Sequence, residues 1–371
     1  MDLFNALYSD DGRRDPYPVY AALRRIGPVV EVMDGFLIAT SYAAVDEVLR
    51  DANFGVERAP LIADQTSLLT MNPPDHTRVR RLMSGAFTPR RVHGLRDAIA
   101  DQATALIDAM RGDGGGRADL MADFAYRLPV NVICELLGVP EKDRTWFRSV
   151  AADSTVVLEG TATLEELDAA RSAGELLRAY FKHLVKARRP GLIADLAEAD
   201  GLTEGELLGN LSLLLIAGFE TTSNLIGNGV MTLLEHPFSK SIDDPVAYVE
   251  EFLRYDSPVQ LTSRIALAPT VLSGRSVQAG TYVLALIGSA NRDEARFDNA
   301  DRFDPARPNN VPISFGAGAH FCLGAALARL EAQIAFPLLL QGLPGLRLDG
   351  TPVRRERLVL RGYESLPIAW N

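Results

Sequence analysis

The chain has 371 residues, 47% of them hydrophobic and 23% charged, and a formal net charge of −10. That is the composition of a globular protein with a buried core, and its acidic balance argues against general affinity for nucleic acid. Two cysteines, Cys134 and Cys322, give no disulfide framework and suit a reducing compartment.

The opening Met1-Asp2-Leu3-Phe4-Asn5 has no basic segment leading into an apolar core, so no signal peptide is expected. Val29 to Met33 and Phe36 to Thr40 read as strands around Asp34-Gly35, a type I′ hairpin signal. Asn72-Pro73-Pro74-Asp75 reads as a helix start, with His76 and Arg80 four apart and so on one face. Gly112-Asp113-Gly114-Gly115-Gly116 reads as a loop between helices. Tyr126 to Leu137 reads as a helix stopped by Gly138 with Pro140 beyond, and Cys134 fits its core face. Leu207 to Glu235 reads as a long apolar helix ending before Pro237. Its most apolar part, around Leu211 to Phe219, is too short to span a bilayer, so a cytoplasmic protein without a membrane segment is expected. After Arg264 come short strands with turns at Ser273-Gly274 and Ala279-Gly280. Length alone suggests two or three domains, but no repeat or long linker marks a boundary.

The run Phe315-Gly316-Ala317-Gly318-Ala319-His320-Phe321-Cys322-Leu323-Gly324 is the most informative part of the chain. Glycine lets the backbone turn tightly and approach a flat ligand closely. Helical spacing from Leu323 onward places the Cys322 sulfur at a helix N-terminus, where free N–H groups and the dipole favour a thiolate. Gly324, one turn into that helix, leaves space beside the sulfur. A buried structural cysteine needs no such loop. Zinc would need more ligands than two cysteines without a Cys-x-x-Cys pair supply. A Cys–His hydrolase could use His320 or His76 as its base, but His320 lies only two residues from Cys322, which suits neither a strand pair nor a helix pair facing the sulfur.

Three further groups demand explanation. Ala217-Gly218-Phe219-Glu220-Thr221-Thr222 puts an acid and two hydroxyls inside an apolar helix, where a carboxylate is costly unless paired or wetted and Thr hydroxyls bend the helix by bonding one turn back. Gly218 there would let the backbone approach a ligand. Glu251-Phe252-Leu253-Arg254 places an acid and an arginine on one helix face, flanked by apolar residues that favour a buried pair. Arg78, Arg81, Arg90 and Arg91 form a candidate basic patch on an otherwise acidic protein.

Together these residues resemble the motifs of the cytochrome P450 monooxygenases, and the resemblance runs from about Asp15 to the C-terminus. It implies a single-domain cytochrome P450 fold over residues 1–371, mainly α with a minor β region that includes a small N-terminal β subregion around 27–41. It implies haem b (iron protoporphyrin IX) as cofactor, with Cys322 as the metal ligand and Phe315, Gly316, His320, Leu323, Gly324, Ala217 and Gly218 around it. Backbone N–H groups near Leu323 and Gly324 would donate to the sulfur. His76, Arg80, Arg264 and His320 would hold the two propionates. Thr221 would hydrogen-bond dioxygen, and Glu220 would relay protons from solvent. Glu251 and Arg254 would join a second arginine, either Arg302 or Arg307, in a structural group that fixes the Cys322 loop. Met71, Leu213, Leu214, Ala217, Val259, Leu261, Thr262, Tyr363 and Glu364 would line the substrate pocket; Glu364, if it faces the pocket and is not a solvated turn residue, would favour a basic or hydroxyl-rich substrate.

The same resemblance implies a monooxygenase that uses O2 to hydroxylate or epoxidise a small molecule, in secondary-metabolite biosynthesis. No flavin or nucleotide fingerprint appears, so electrons from NAD(P)H would arrive through a separate ferredoxin reductase and ferredoxin, docking at the basic patch. The alternatives are a peroxide-driven P450 and a non-enzymatic P450-like partner protein, both disfavoured by the intact Cys322, Glu220 and Thr221. Three departures from the family pattern stand out. The segment 55–70 is short for a pocket roof, which suggests an open mouth, a large or carrier-tethered substrate, or a loop that folds on binding. The segment 236–245 is contracted. Pro337 should kink the helix after Cys322.

Overall fold

Helix dominates the computed structural model, which describes residues 2–56, 66–112, 115–144, 146–147, 150, 154–159, 162–187, 191–236 and 242–371. Most of the short roof segment, part of the 112–116 loop and half of the contracted 236–245 segment lie outside the described residues. The chain divides into two compact units. One comprises Met1–Glu57, Gly227–Cys322 and Pro352–Glu364, the other Arg58–Ile226, Leu323–Thr351 and Ser365–Asn371.

The first unit is built on a five-stranded sheet ordered Val29–Met33, Phe36–Ala39, Tyr282–Ala285, Thr262–Ala266, Phe54–Gly55. Phe36–Ala39 runs parallel to Tyr282–Ala285, and the other pairings are antiparallel. Strands Phe36–Ala39 and Tyr282–Ala285 are apolar throughout because both faces are covered. Leu37, Ala39, Val283 and Ala285 enter one core with Val45 and Val48, while Ile38 and Leu284 enter another with Leu7, Tyr20 and Leu23. The Asp34-Gly35 turn is not of type I′. That type needs positive φ at both central residues, and of the two only Gly35 has it, at 75°. A register shift between Glu31 and Met33 absorbs the difference.

The second unit is helical around a core of Val79, Met83, Ile133, Leu177, Phe181, Leu211 and Leu215. It carries a small sheet of Arg117–Asp119, Pro367–Ala369 and Arg347–Leu348. Arg127–Leu137 ends at Gly138 in the left-handed region, as the Gly-Val-Pro stop implies. The long helix is Glu204–Glu235 and starts three residues before the apolar pattern does. The cause is a reciprocal cap: Glu206 N–H donates to Thr203 Oγ1 at 3.2 Å and Thr203 N–H donates to Glu206 Oε2 at 2.9 Å. The last helix, Ala325–Gly342, continues through Pro337, whose ring nitrogen offers no proton to the carbonyl one turn back.

Glu331 lies on that last helix, 1% exposed, with no partner for Oε2 among the described residues. Burial holds its carboxyl pKa well above the usual range. A raised folded pKa means the folded state keeps a proton that the unfolded chain releases. Stability is then fully present below the ordinary Glu value of about 4.3 and falls by about 1.4 kcal/mol per pH unit until the folded pKa is passed. Glu331→Gln removes this titration, so its melting-temperature gain over the wild type should be larger at pH 8 than at pH 5. Parallel pH–stability curves for the two proteins would refute the assignment.

Candidate active site

In the first unit the Cys322 loop is shaped by glycines at two left-handed positions, Gly316 (φ 69°) and Gly318 (φ 66°). Gly316 N–H donates to Ile313 O at 2.8 Å and Cys322 N–H donates back to Phe315 O at 2.9 Å, closing the loop. Gly318 also permits a close approach: a Cβ there would lie 2.2 Å from Leu49 O, at the end of helix Tyr42–Arg50. At Gly316 the nearest atom would be 4.0 Å away. Gly316→Ala should therefore cost about 1–2 kcal/mol from its backbone angle alone, and Gly318→Ala clearly more, with a matching order in melting temperature. Equal losses would mean that the contact with Leu49 is unimportant.

Cys322 is exposed and outside any disulfide. The following helix begins at Ala325, with Gly324 as its N-cap at φ −87° and ψ 7°. Gly324 is thus outside the helix and not one turn into it, and Cys322 stands three residues ahead of the first helical residue. Leu323 and Gly324 are half-buried. A Cβ on Gly324 would meet only Phe87, at 3.8 Å, so the space beside it is open. Phe315 and His320 are half-buried as well.

The loop is anchored by a buried polar network that its own sequence does not announce. Asn291 Oδ1 accepts Ile313 N–H at 2.8 Å, Asn291 Nδ2 donates to Ser314 Oγ at 2.8 Å, and Ser314 Oγ donates to Leu253 O at 2.6 Å. Ser257 completes it, accepting from Asn291 Nδ2 at 2.7 Å. Leu253 belongs to helix Pro245–Tyr255, which carries Glu251 and Arg254. These two are 0% exposed and form a two-pronged pair, Nε to Oε2 at 2.7 Å and Nη2 to Oε1 at 2.7 Å. Arg254 also donates to Asn291 O, Ala300 O and Arg302 O at 2.7–2.9 Å. Glu251 accepts Asp304 N–H at 2.7 Å and Asn310 Nδ2 at 3.0 Å. Of the two arginines left open above, Arg307 makes the ion pair, Nε to Glu251 Oε2 at 3.4 Å, while Arg302 contributes its carbonyl.

Arg264 is 6% exposed, donates only to Thr262 Oγ1 and Ser263 O, and has no carboxylate partner among the described residues. Burial alone lowers its pKa to about 10. A buried cation without a counter-ion is unfavourable, so this guanidinium fits an anionic group such as a propionate. Val259 and Thr262 are half-buried and Leu261 is buried. Tyr363 is buried with the Arg354 guanidinium 4.3 Å from its ring centroid, and burial pushes its hydroxyl pKa to about 12. Glu364 is exposed and pairs with Arg355 at 3.4 Å.

In the second unit His76 is buried and Arg80 half-buried, one turn apart on helix Asp75–Met83. Met71 and Leu214 are buried. On the long helix Leu213, Ala217 and Thr221 form an open stripe, Ala217 exposed and the other two half-buried, while Leu211, Leu215, Phe219 and Glu220 are buried. A stripe at i, i+4, i+8 that is open beside buried neighbours leaves room for a flat apolar group. Thr221, Thr222 and Ser223 each donate to the carbonyl four residues back, at 3.1, 3.4 and 2.8 Å. A Cβ at Gly218 would lie 2.8 Å from Ile133 Cγ1, so its missing side chain also admits helix Arg127–Leu137. The basic patch is also smaller than expected, because Arg78 pairs with the buried Glu206 and Arg91 with Asp195. No helix among the described residues is long and apolar enough to cross a membrane.

The family model for cytochrome P450 matches residues 246–344, which include Glu251, Arg254, Arg307 and the Cys322 loop. The chain is 39% identical to cytochrome P450 monooxygenase PikC of Streptomyces venezuelae, over 97% of this chain and 92% of that protein. It is 36% identical to the biotin biosynthesis cytochrome P450 of Bacillus subtilis (strain 168), over the full length of both. The crystal structure of P450BioI in complex with hexadec-9Z-enoic acid ligated acyl carrier protein superposes with a TM-score of 0.92 at 36% identity, covering 97% of this chain and 100% of that one. With these full-length similarities the chain belongs to the cytochrome P450 family of monooxygenases, which bind haem b.

Proposed function

We propose that the chain is a ferredoxin-dependent monooxygenase that hydroxylates or epoxidises a small molecule in secondary-metabolite biosynthesis. The observation that carries this reading is the buried Glu220 beside Thr221, on a helix whose Ala217–Thr221 stripe is open. Support for the biosynthetic role comes from relatives such as the mycinamicin IV hydroxylase/epoxidase of Micromonospora griseorubida, 38% identical over 95% of this chain and 94% of that protein. A carrier-tethered substrate is favoured by the similarity to P450BioI, which was crystallised with an acyl carrier protein.

The haem, when bound, supplies the iron centre at which O2 is reduced and one oxygen atom is passed to substrate. Cys322, as a thiolate, would hold the iron and donate electron density to it. Arg264, His76, Arg80 and His320 would hold the propionates. The Thr221 hydroxyl, which donates to Ala217 O in this structure, can turn to donate toward dioxygen. Glu220 moves protons between solvent and Thr221. Met71, Leu213, Leu214, Val259, Leu261, Thr262, Tyr363 and Glu364 select the substrate. Electrons from NAD(P)H reach the protein through a reductase and a ferredoxin in the cytoplasm.

The carbon monoxide difference spectrum of the dithionite-reduced protein tests this reading first. A strongly red-shifted Soret band is expected. A histidine-type band, or no haem at all, would favour the partner-protein alternative. Product formation with hydrogen peroxide and no reductase would favour the peroxide-driven one.

A further inference from the structure

Tyr17, the first residue of helix Tyr17–Ile26, joins the N-terminal segment to a buried polar cluster of the first unit. Its hydroxyl donates to Asp256 Oδ1 at 2.7 Å and accepts from Gln260 Nε2 at 3.2 Å. Asp256 is buried and pairs with Arg361 at 2.6 Å and with Arg354 at 3.5 Å. Arg361 Nη1 in turn donates to the carbonyls of Arg14 at 2.9 Å and Arg13 at 3.3 Å. The Arg292 guanidinium lies 4.4 Å from the centroid of the Tyr17 ring and 3.8 Å from that of Tyr255. A buried ion pair is tolerable only with good geometry and further hydrogen bonds, and a network that satisfies its members holds them in one arrangement.

The cluster sits at the junction of two stretches that carry candidate substrate residues. Asp256 and Gln260 flank Val259 and precede Leu261 and Thr262, while Arg354 and Arg361 precede Tyr363 and Glu364. The two stretches are tied to each other by main-chain bonds, Gln260 N–H to Val359 O at 2.9 Å and Arg361 N–H to Pro258 O at 2.8 Å, with Val259 bridging Leu360. Asn228 Nδ2 donates to Asp256 O at 3.2 Å and to Arg361 O at 3.1 Å. Main-chain bonds fix the two stretches against each other but leave the pair able to shift together. Tyr17 and the carbonyls of Arg13 and Arg14 fasten that pair to the N-terminal segment.

We propose that Tyr17 is a positioning residue for substrate binding: through Asp256 and Arg361 it sets where residues 259–262 and 363–364 present their side chains. The inference rests on the substrate-selecting role given to those residues above. Loss of the Tyr17 hydroxyl leaves Asp256 with both of its arginines, so the fold is kept while the position of the two stretches loses a constraint.

Two azole titrations of the haem-loaded protein test this, each followed by the Soret shift that nitrogen ligation of the iron produces. Imidazole and 4-phenylimidazole bind the iron through the same ring, and only the phenyl group extends into the substrate space. The ratio of their dissociation constants therefore reads the wall of that space and cancels changes at the iron. Tyr17→Phe should weaken 4-phenylimidazole about threefold or more and leave imidazole within about twofold of the wild type. Its carbon monoxide band should keep its position. A lowered melting temperature with an unchanged ratio would mean that Tyr17 only stabilises the fold, and overturns the proposal. If Tyr17→Phe does not fold, Gln260→Met, which removes the other hydrogen bond to the Tyr17 hydroxyl, replaces it with the same expected result. Val259→Ala separates the two layers of the argument. If it leaves the ratio unchanged, the substrate-selecting role of the wall fails, and the proposal with it. If it changes the ratio while Tyr17→Phe does not, only the role of Tyr17 fails.

Discussion

Cys322→Ser should abolish the red-shifted carbon monoxide band while leaving the protein folded. Serine is nearly the size of cysteine but replaces a polarizable thiolate with a weak hard donor, and the thiolate is what gives the haem of this family its electronic character. The side chain is exposed and contributes nothing to a core, and the loop is held by backbone groups that the substitution does not touch. The thermal stability of the haem-free variant should thus stay within about 0.5 kcal/mol of the wild type, as for other exposed substitutions. Monooxygenase turnover should fall below detection. A variant that kept the red-shifted band would show that another residue ligates the metal.

What the sequence reveals about this site is what is encoded locally. The Cys322 loop is legible because its glycines, its thiol and the helix after it are contiguous, and its two positive φ angles fall on glycines. The long helix is legible from its apolar run, and its earlier start could have been read from Thr203 and Glu206, which have the Thr-x-x-Glu spacing of a cap. The support of the loop is not legible. Asn291, Ser257 and Ser314 look like ordinary polar residues and meet only because a helix, a loop and the segment before Cys322 converge. The same holds for the choice of Arg307 over Arg302, which depends on which side chain turns inward: Arg302 is exposed, whereas Arg307 reaches Glu251. The close packing of Gly218 on Ile133 of another helix is likewise not legible in the motif itself.

Arg254→Ala should be the most destabilising single substitution away from the loop itself. Arg254 is 0% exposed and satisfies both oxygens of Glu251 and three backbone carbonyls. Removing one partner of a buried pair costs about 3–5 kcal/mol, because the other charge stays buried. Part of that charge remains compensated here, since Glu251 keeps Asp304 N–H, Asn310 and Arg307. Arg302 O likewise keeps Arg307 Nη2 at 2.8 Å, but the carbonyls of Asn291 and Ala300 have no such reserve among the described residues, and each buried orphan adds about 1–3 kcal/mol. Against a total stability of about 5–15 kcal/mol the loss is severe. Arg254→Lys should rescue little, because an ammonium has three donors on one point and cannot span the planar fork between Glu251 and the carbonyls. Urea unfolding and haem content measured on the same samples check this, and a loss below about 1 kcal/mol for Arg254→Ala would contradict the buried-pair argument. The damage should reach the thiolate site before the whole fold is lost. Asn291, whose carbonyl Arg254 holds, is the residue whose side chain pins Ile313 and Ser314 at the root of the Cys322 loop. At low urea the Arg254 variants should therefore lose the red-shifted band while their helical signal persists, a separation that the wild type, with this relay intact, should not show.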